Sequence, residues 1–376
     1  MNNIQMVDLY NQYLRLKEDI DNAINSVIKS TTFIKGKEVN IFENELAKYL
    51  NVRNVVTCAN GTDALMIALM ALDLDKDAEI IVPNYTFIAT AEVVAFLGYK
   101  LKFVDVDMDT FNINITSLKK AITNKTKVII PVHLFGQCAN MEEIISLSRD
   151  NNIYIIEDCA QALGAKYIFK DGQTLFAGTI GDIGCTSFFP SKNLGCYGDG
   201  GAIFTNNDKL AEKIRMIANH GMKERYYHDI IGVNSRLDSI QAAILNVKLK
   251  HIDDFNYRRL KAAQFYDEAL KNIEEIQIPE RVDYSTHVFH QYTIKVLNGK
   301  RDKLREYLKT KNIPSMVYYP LPLHKQKVFI NLNYTDENLS NSSKLSNIVL
   351  SLPMHTELTN DQLNYICDSI VEFFKK

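Results

Sequence analysis

The sequence lacks several patterns that would place it in other classes of protein. None of its six cysteines forms a Cys-x-x-Cys pair, which argues against a structural zinc site or a redox motif. No stretch reaches the roughly 18 apolar residues that span a bilayer, and residues 1–5 carry neither a basic nor an apolar leader. The formal net charge is only −2, so no basic field points to nucleic acid. We therefore expect a cytoplasmic protein that binds neither membranes nor nucleic acid.

What the chain does have is the length and composition of a globular enzyme. It has 376 residues, of which 46% are hydrophobic and 23% charged. That length suggests about two domains, each able to bury its own core. No Gly-x-Gly-x-x-Gly follows a predicted strand, so the fingerprint of a nicotinamide-dependent enzyme is missing.

Short apolar runs alternate with helical patterns through most of the chain. This alternation indicates βαβ units and a mostly parallel sheet. We predict a large α/β domain with an N-terminal helical segment over residues 1–250, and a smaller α+β domain over residues 251–376. The predicted strands lie at residues 55–58, 80–83, 101–106, 128–132, 153–156, 185–189, 202–205 and 290–296, and the later predicted helices at 238–250, 258–270, 301–309 and 359–374.

The most informative segment is residues 187–201, in which one lysine, Lys192, lies between an aromatic stretch containing Ser187 and a cluster of glycines. A lysine held in a tight turn can be desolvated, which lowers its pKa, and a neutral amine can form a Schiff base. A surface lysine in a glycine loop is the alternative. The glycines at 200 and 201 should allow close backbone approach or a positive φ.

The second informative residue is Asp158, which comes shortly after the apolar run at residues 153–156. A buried carboxylate is costly unless it faces a cation. Lysine and buried aspartate are the pair that pyridoxal phosphate (PLP) needs, because one holds the aldehyde and the other keeps the ring nitrogen protonated. Gln161 could lie against the ring or its hydroxyl. Helix capping by Asp158 is the competing interpretation.

Further polar residues follow other predicted strands, where open parallel sheets bind their ligands. Residues 60–63 open a helix, whose free N–H groups favour a phosphate, and Thr62 adds a hydroxyl; a plain helix cap is the alternative. Phe87 could stack on a flat ring or pack in the core. Asn234 and Arg236 lie on a loop suited to a polar ligand, although an arginine there often pairs with a local carboxylate.

Together these motifs make the chain resemble the fold type I, PLP-dependent nucleotide-sugar aminotransferases of the DegT/DnrJ/EryC1/StrS family. The resemblance covers nearly the whole chain and is carried by residues 60–65, 157–161, 187–201, 232–238 and 319–323. It implies an aspartate aminotransferase-like α/β fold with a mostly parallel central sheet and a smaller C-terminal α+β domain. It also implies PLP as the cofactor, with pyridoxamine phosphate (PMP) as its second form, and no metal.

The resemblance also implies roles for single residues. Lys192 matches the lysine that carries the cofactor and moves protons once it is free, and Asp158 matches the acid that pairs with the pyridine nitrogen. Phe87 and Gln161 match residues beside the ring. The residues matched to phosphate binding are Gly61, Thr62, Ser187 and, from a neighbouring subunit, Asn234; those matched to substrate binding are Arg236, Tyr318, Tyr319 and His324. A homodimer with shared active sites follows from the neighbour's contribution.

Within the family, the likeness is strongest to enzymes that aminate the 3-oxo group of UDP-N-acetylhexosamine derivatives, on residues 185–192, 225–228 and 351–355. The expected substrates are L-glutamate and a UDP-linked 2-acetamido-2-deoxy-3-oxo-hexose, for lipid A or another surface glycan. The alternatives are the corresponding 3-oxo-glucuronate and a dTDP-linked 3- or 4-keto-6-deoxy sugar. Family relatives that remove a hydroxyl carry histidine in place of Lys192. A PLP-fold regulatory module without turnover is the alternative from another class.

One departure from the family pattern bears on the sugar. Relatives often have His-Tyr-Pro where this chain has Tyr318, Tyr319 and Pro320. Loss of a potentially cationic histidine disfavours a sugar carboxylate, so we favour the neutral glucosamine form slightly. Arg236 argues for the uronate if it faces C6 of the sugar.

Overall fold

The computed structural model describes residues 4–375, so the first three residues of the predicted leader-free N-terminus and Lys376 lie outside it. The helices are α1 (Leu9–Ser30), α2 (Lys37–Leu50), α3 (Gly61–Ala71), α4 (Ala89–Phe96), α5 (Ile115–Ala121), α6 (Met141–Asn151), α7 (Asp208–Ile217), α8 (Ser239–Leu249), α9 (Ile252–Leu270), α10 (Arg301–Thr310), α11 (Ser340–Ile348) and α12 (Asn360–Lys375). The strands are β1 (Asn54–Cys58), β2 (Glu79–Pro83), β3 (Lys100–Val104), β4 (Thr126–Ile129), β5 (Tyr154–Asp158), β6 (Lys166–Ile168), β7 (Thr174–Phe176), β8 (Ile183–Ser187), β9 (Gly201–Thr205), β10 (Ile276–Gln277), β11 (Tyr292–Val296) and β12 (Val349–Leu352).

A seven-stranded sheet in the order β1-β9-β8-β5-β4-β2-β3 forms the centre of the molecule. Only β9 is antiparallel to its neighbours, β1 and β8, while the remaining pairs are parallel. The register pairs Gly201, at the start of β9, with Cys58 at the end of β1 and Ser187 at the end of β8. The carboxyl ends of the six other strands and the start of β9 therefore meet at one edge of the sheet.

Side chains on this sheet alternate between two cores because successive residues of a strand face opposite ways. On β2, Ile81 packs into the cluster beneath α2, α6 and α8, whereas Ile80 and Val82 pack into the cluster beneath α3, α4 and α7. Both faces are covered by helices, which is why the strands read as continuous apolar runs. The predicted α/β class with a mostly parallel central sheet is confirmed.

A second, three-stranded antiparallel sheet has the order β10-β11-β12. Side chains from α9, α10 and α12 pack with it in one core, which Ile4 near the N-terminus joins. Lys295 of β11 fastens this sheet to the loop after β3, since its Nζ donates to Asp109 Oδ1 at 2.6 Å and to the Met108 carbonyl at 3.0 Å. The predicted division of the chain at residue 250 stays a prediction.

Several predicted boundaries differ from the observed ones. The strand predicted to run through residues 188 and 189 ends at Ser187, because the chain turns there into the lysine segment. The helix predicted from residue 258 begins at Ile252, where buried Ile252 and Phe255 extend its apolar face. The strands β6, β7 and β10 were not predicted, since two or three residues carry too little periodic signal.

The described residues bear on two of these predictions, those of no membrane-spanning helix and no metal site. Between residues 4 and 375, no helix has the length and apolar character needed to cross a bilayer. The same residues contain no group of three or more His, Cys, Asp or Glu side chains arranged to hold a metal ion. All six cysteines are buried free thiols.

Candidate active site

The end of β8 and the beginning of α3 touch at the sheet edge. A Cβ added to Gly61 would lie 2.6 Å from Ser187 Cβ and 3.2 Å from Ser187 Oγ, so only glycine fits without movement. Asn60 caps α3 by accepting a hydrogen bond from the Asp63 N–H at 2.8 Å. The cap is therefore Asn60 rather than Thr62 or Asp63, and the first turn of α3 packs against Ser187. Half-buried Thr62 lies in the same first turn.

Asp158 is the last residue of β5 and is 7% exposed. Thr90 of α4 donates its hydroxyl to Asp158 Oδ2 at 2.8 Å, and the Ala160 N–H donates to Oδ1 at 3.2 Å. The carboxylate thus has neutral donors but no ion pair among residues 4–375. A cation placed against it would be stabilised strongly in such a buried position.

Lys192 lies in a compact turn after β8. Its N–H donates to the Phe189 carbonyl at 2.8 Å, and a side chain on Gly195 would collide with the Pro190 carbonyl. Burial lowers the pKa of the Lys192 amine from 10.5 to about 8, although the charge of Asp158 acts in the opposite direction. This group is therefore much easier to deprotonate near neutral pH than an ordinary lysine.

The glycines after Lys192 were expected to serve close approach or a positive φ, and the structure shows the first. A side chain on Gly201 would collide with the Asn60 carbonyl, which brings β9 against the start of α3. Neither Gly200 nor Gly201 has a positive φ. The two glycines thus let the lysine segment, β8 and α3 converge.

Phe87 and Gln161 lie around a common neighbour, Tyr319. The Phe87 side chain is 55% exposed, and its ring centroid lies 6.3 Å from that of Tyr319. Gln161 is buried, donates through Nε2 to the Tyr319 hydroxyl at 3.1 Å and accepts from the Phe135 N–H at 2.8 Å. Exposed Phe87 is consistent with stacking on a ligand and not with the core alternative.

Tyr318 and His324 belong to the same segment as Tyr319, residues 318–324. Tyr85 donates its hydroxyl to the Tyr318 carbonyl at 2.8 Å, and the half-buried Tyr318 ring packs beside Tyr319. His324 is buried with Nδ1 2.8 Å from Asn84 Nδ2 and Nε2 3.2 Å from Asp336. Both ring nitrogens of His324 are therefore engaged within the chain, and no hydrogen bond joins it to Lys192 or Asp158 in the described residues.

Asn234 and Arg236 lie on the loop before α8, apart from Lys192. The neighbouring Ser235 anchors the loop, because its hydroxyl accepts from the Ala59 N–H at 3.0 Å and its own N–H donates to the Ala218 carbonyl at 3.0 Å. Asn234 is exposed. Arg236 forms no ion pair in the described part of the chain, so the local-carboxylate alternative is not what the structure shows. Burial lowers the pKa of Lys35, and the positive charge of Arg236 lowers it further.

Three residues around the site were missed by the sequence reasoning. Thr90 holds Asp158, and Lys248 of α8 donates to the Gly195 carbonyl at 2.8 Å beneath the lysine turn. His290, just before β11, lies close enough to Lys192 for that charge to lower its pKa. All three are far from their partners in the sequence, so no spacing could reveal them; only the buried position of Lys248 on an apolar helix was a visible anomaly.

The residues at this edge fit PLP. A cradle that a Cβ would fill, at Gly61 and Ser187, lies at the start of a helix, where a phosphate is favoured. Asp158 can hold a protonated ring nitrogen, exposed Phe87 can cover the ring, and the amine of Lys192 can bind the aldehyde.

Comparisons with known proteins agree with this geometry. The family model of the DegT/DnrJ/EryC1/StrS aminotransferases matches residues 14–371. The chain is 43% identical over 369 residues to a UDP-2-acetamido-2-deoxy-3-oxo-D-glucuronate aminotransferase of Pseudomonas aeruginosa, covering 98% of this chain and 99% of the relative. It is also 43% identical over 367 residues to a UDP-N-acetyl-3-dehydro-α-D-glucosamine 3-aminotransferase of Acidithiobacillus ferrooxidans, covering 98% and 97%.

Two further matches are a curated relative and a crystal structure. A "pleiotropic regulatory protein" of Geobacillus stearothermophilus is 45% identical over 375 residues, covering 99% of both chains. The crystal structure of NtdA from Bacillus subtilis with bound PMP superposes with a TM-score of 0.91 at 31% identity, covering 100% of this chain and 86% of NtdA. The expected cofactor and fold type I architecture are thereby confirmed. The chain belongs to the DegT/DnrJ/EryC1/StrS aminotransferase family and is a PLP-dependent nucleotide-sugar aminotransferase.

Proposed function

We propose that this enzyme moves an amino group from L-glutamate to the C3 keto group of a UDP-linked 2-acetamido-2-deoxy-3-oxo-hexose. The observation that carries the chemistry is the meeting of Lys192, Asp158 and the Gly61–Ser187 contact at one edge of the sheet. The UDP sugar and the C3 position are supported by the two relatives at 43% identity, whose names specify both. Lipid A synthesis and a cytoplasmic location stay predictions.

Lys192 is the proposed proton carrier. PLP, when bound, supplies an electron sink for the negative charge that develops at the reacting carbon. Once free, Lys192 would take the proton from the α-carbon of glutamate and pass it to the cofactor carbon that bears the amino nitrogen, and the sugar half-reaction would run in the reverse order. Its pKa of about 8 suits this work, because a group that titrates near the working pH can both accept and donate.

The remaining proposed roles concern orientation. Asp158, held by Thr90, keeps the pyridine nitrogen protonated, and the beginning of α3 with Ser187 holds the phosphate. Phe87 and Gln161 keep the ring in its plane, with Tyr319 fixing Gln161. Reacting atoms held in this way need no further ordering when the reaction begins.

We also propose a homodimer in which Asn234 and Arg236 complete the partner's site. Asn234 is exposed, and Arg236 has no ion pair among residues 4–375. Beside this loop, Phe33 and Ile34 are each 44% exposed and Ile231 is 85% exposed, so an apolar surface surrounds the two polar residues. Such a surface suits a second copy of the chain, and an incoming phosphate would compensate the cation.

Mixing two inactive variants tests the shared site. Lys192→Ala removes the amine, and Arg236→Ala removes the cation. If the sites are shared, a mixed dimer has one site with both residues, so refolding the two variants together should restore about a quarter of the wild-type activity by random pairing. Two variants purified separately and mixed without subunit exchange are the control. No recovery after verified exchange would place Arg236 and Lys192 of each site on the same subunit.

The sugar is tested by running the half-reaction in reverse. The UDP-linked 3-amino product is added to the PLP form in its hexosamine or its uronate version, and loss of the visible PLP absorbance is followed. The proposal expects the hexosamine to react faster, and Tyr318→His to shift the preference toward the uronate, with Tyr318→Phe as the matched control. Reaction of the uronate alone would refute the Tyr318 argument. If only glutamate reacts, dTDP-linked keto sugars are tested next. If glutamate does not react either, a regulatory function, as in the name of the Geobacillus relative, becomes the favoured proposal.

A further inference from the structure

His290 is a buried histidine that lies behind the lysine turn. It is 5% exposed. Asn193, the neighbour of Lys192, donates to the Val288 carbonyl at 3.0 Å, which ties the turn to the segment that carries His290. A Cβ on Gly136 would lie 3.1 Å from the His290 N atom, so this segment also packs against the loop whose Phe135 N–H is held by Gln161. His290 thus lies between two parts of the active site.

The imidazole of His290 has a ring nitrogen that is free to form a hydrogen bond within the described part of the chain. Its Nδ1 is buried and has no hydrogen-bond partner among residues 4–375. Its Nε2 lies 3.5 Å from the side-chain amide of Gln291, a group that can present either an oxygen or an NH₂. Burial, the charge of Lys192 and that of Arg259 all lower the pKa of His290 well below its usual value. The ring is therefore neutral at neutral pH and offers one nitrogen as an acceptor.

Lys192 needs such an acceptor during the reaction. No hydrogen bond or ion pair engages its Nζ in the described part of the chain. When the free amine of Lys192 takes the proton from glutamate, it becomes an ammonium in a place where burial opposes charge. Asp158 is the carboxylate that acts on it, but the proposed function assigns the remaining acceptor capacity of Asp158 to the cofactor nitrogen.

We propose that His290 is a positioning residue for Lys192, accepting an N–H of its ammonium through Nδ1 when the free lysine carries a proton. The proposal rests on the proposed function, because it requires Lys192 to be the cofactor lysine. Arg259 fixes the position of His290, since its NH1 donates to the carbonyls of Phe289 at 3.2 Å, His290 at 3.3 Å and Met354 at 3.0 Å. The buried arginine thereby couples α9 to the lysine turn.

His355 provides a matched control. It follows Met354, whose carbonyl accepts from Arg259, and is 3% exposed. Its Nε2 also lacks a partner among the described residues, and burial with the Arg259 charge lowers its pKa to about 4. It differs in that Asp8, and not Lys192, is the other charge that acts on it. Replacing His355 therefore removes a second buried imidazole that the Arg259 charge reaches, at a position where the Lys192 charge does not act.

The experiment measures the pKa of Lys192 in the cofactor-free protein. Acylation of Lys192 by a small amine reagent is followed against pH by peptide mass spectrometry, in wild type, His290→Asn, His290→Leu and His355→Leu. Asparagine and leucine have the same shape, but only asparagine offers an acceptor. The wild-type midpoint should lie near 8; His290→Leu should lower it by about one pH unit, because a hydrogen bond to the ammonium is lost. His290→Asn and His355→Leu should stay near wild type.

Three results would overturn the proposal: an unchanged midpoint in His290→Leu, a raised one, or an equal fall in His355→Leu. If His290→Leu does not fold, the pair His290→Gln and His290→Met asks the same question with longer side chains. A kinetic readout is independent: His290→Leu should slow the glutamate half-reaction while leaving the KM for glutamate unchanged. Because the titration uses neither sugar nor cofactor, a wrong sugar assignment would leave its outcome intact.

Discussion

Replacing Gly61 with alanine perturbs the contact between the beginning of α3 and the end of β8. The added Cβ would lie 2.6 Å from Ser187 Cβ, whereas carbon atoms in contact prefer about 3.5–4.0 Å. One of the two elements must therefore move by about 1 Å. Overpacking of this kind costs about 1–3 kcal/mol of folding free energy. The same movement separates the helix N–H groups from Ser187, so PLP should bind about 10- to 100-fold more weakly, as expected for one lost hydrogen bond to a charged group.

Urea unfolding of the cofactor-free protein and a spectroscopic PLP titration measure the two effects separately. Gly198→Ala is the matched control, because its Cβ would meet only the end of the Gln241 side chain, at 3.0 Å. Adding Ser187→Gly to Gly61→Ala removes the colliding atom, so stability should recover by about 1 kcal/mol or more, whereas PLP affinity should stay low because the hydroxyl is gone. Wild-type stability together with wild-type PLP affinity in Gly61→Ala would refute the reasoning.

Three further predictions concern buried charges. Asp158→Asn removes the charge that favours the ammonium of Lys192, so the pKa of Lys192 should fall below about 8 in the cofactor-free protein; acylation against pH measures it, and a rise would contradict the geometry. Glu157→Gln should cost about 3 kcal/mol in urea unfolding, because backbone N–H donors in the core lose a charged acceptor; a loss below 1 kcal/mol would show that the amide replaces it. Lys248 has a pKa lowered to about 8 by burial, against 10.5 in an unfolded chain, so the unfolded state binds more protons between these values and stability should rise with pH by up to about 3 kcal/mol. Lys248→Met should flatten that rise, and an unchanged slope would assign it to other groups.

Much of the central sheet could be predicted because its strands are buried on both faces. The run at residues 80–82 is apolar throughout, and its alternating contacts with two cores do not disturb the sequence pattern. The three-stranded sheet was only partly predicted. Its β10 has two residues and β12 four, and their pairing with β11 depends on side chains from helices far away in the sequence. Short strands stabilised by such distant packing leave little local signal.

Some residues of the site could be predicted from the sequence and others could not, for the same reason. Lys192, Asp158 and the helix beginning at Gly61 follow strand ends, and the order of a parallel sheet brings strand ends together. Thr90 and His290 come from other parts of the chain and were found only in the folded structure. Arg236 forms no ion pair among residues 4–375, as expected of a residue that serves a second subunit.

Glu157 and Asp158 are adjacent carboxylates that look alike in the sequence. The structure shows that they differ in their hydrogen-bond donors. They point to opposite faces of β5. Glu157 accepts from the N–H groups of Gly178 at 2.9 Å, Ile180 at 2.7 Å and Gly181 at 2.6 Å, and from His133 Nε2 at 2.8 Å. A carboxylate has about four acceptor positions, so Glu157 is saturated and serves the fold. Asp158 has two donors and is 7% exposed, against 0% for Glu157, so it retains acceptor capacity that a further donor can use. A protonated ring nitrogen is such a donor, and this difference is the physical reason to expect the cofactor at Asp158 rather than at Glu157.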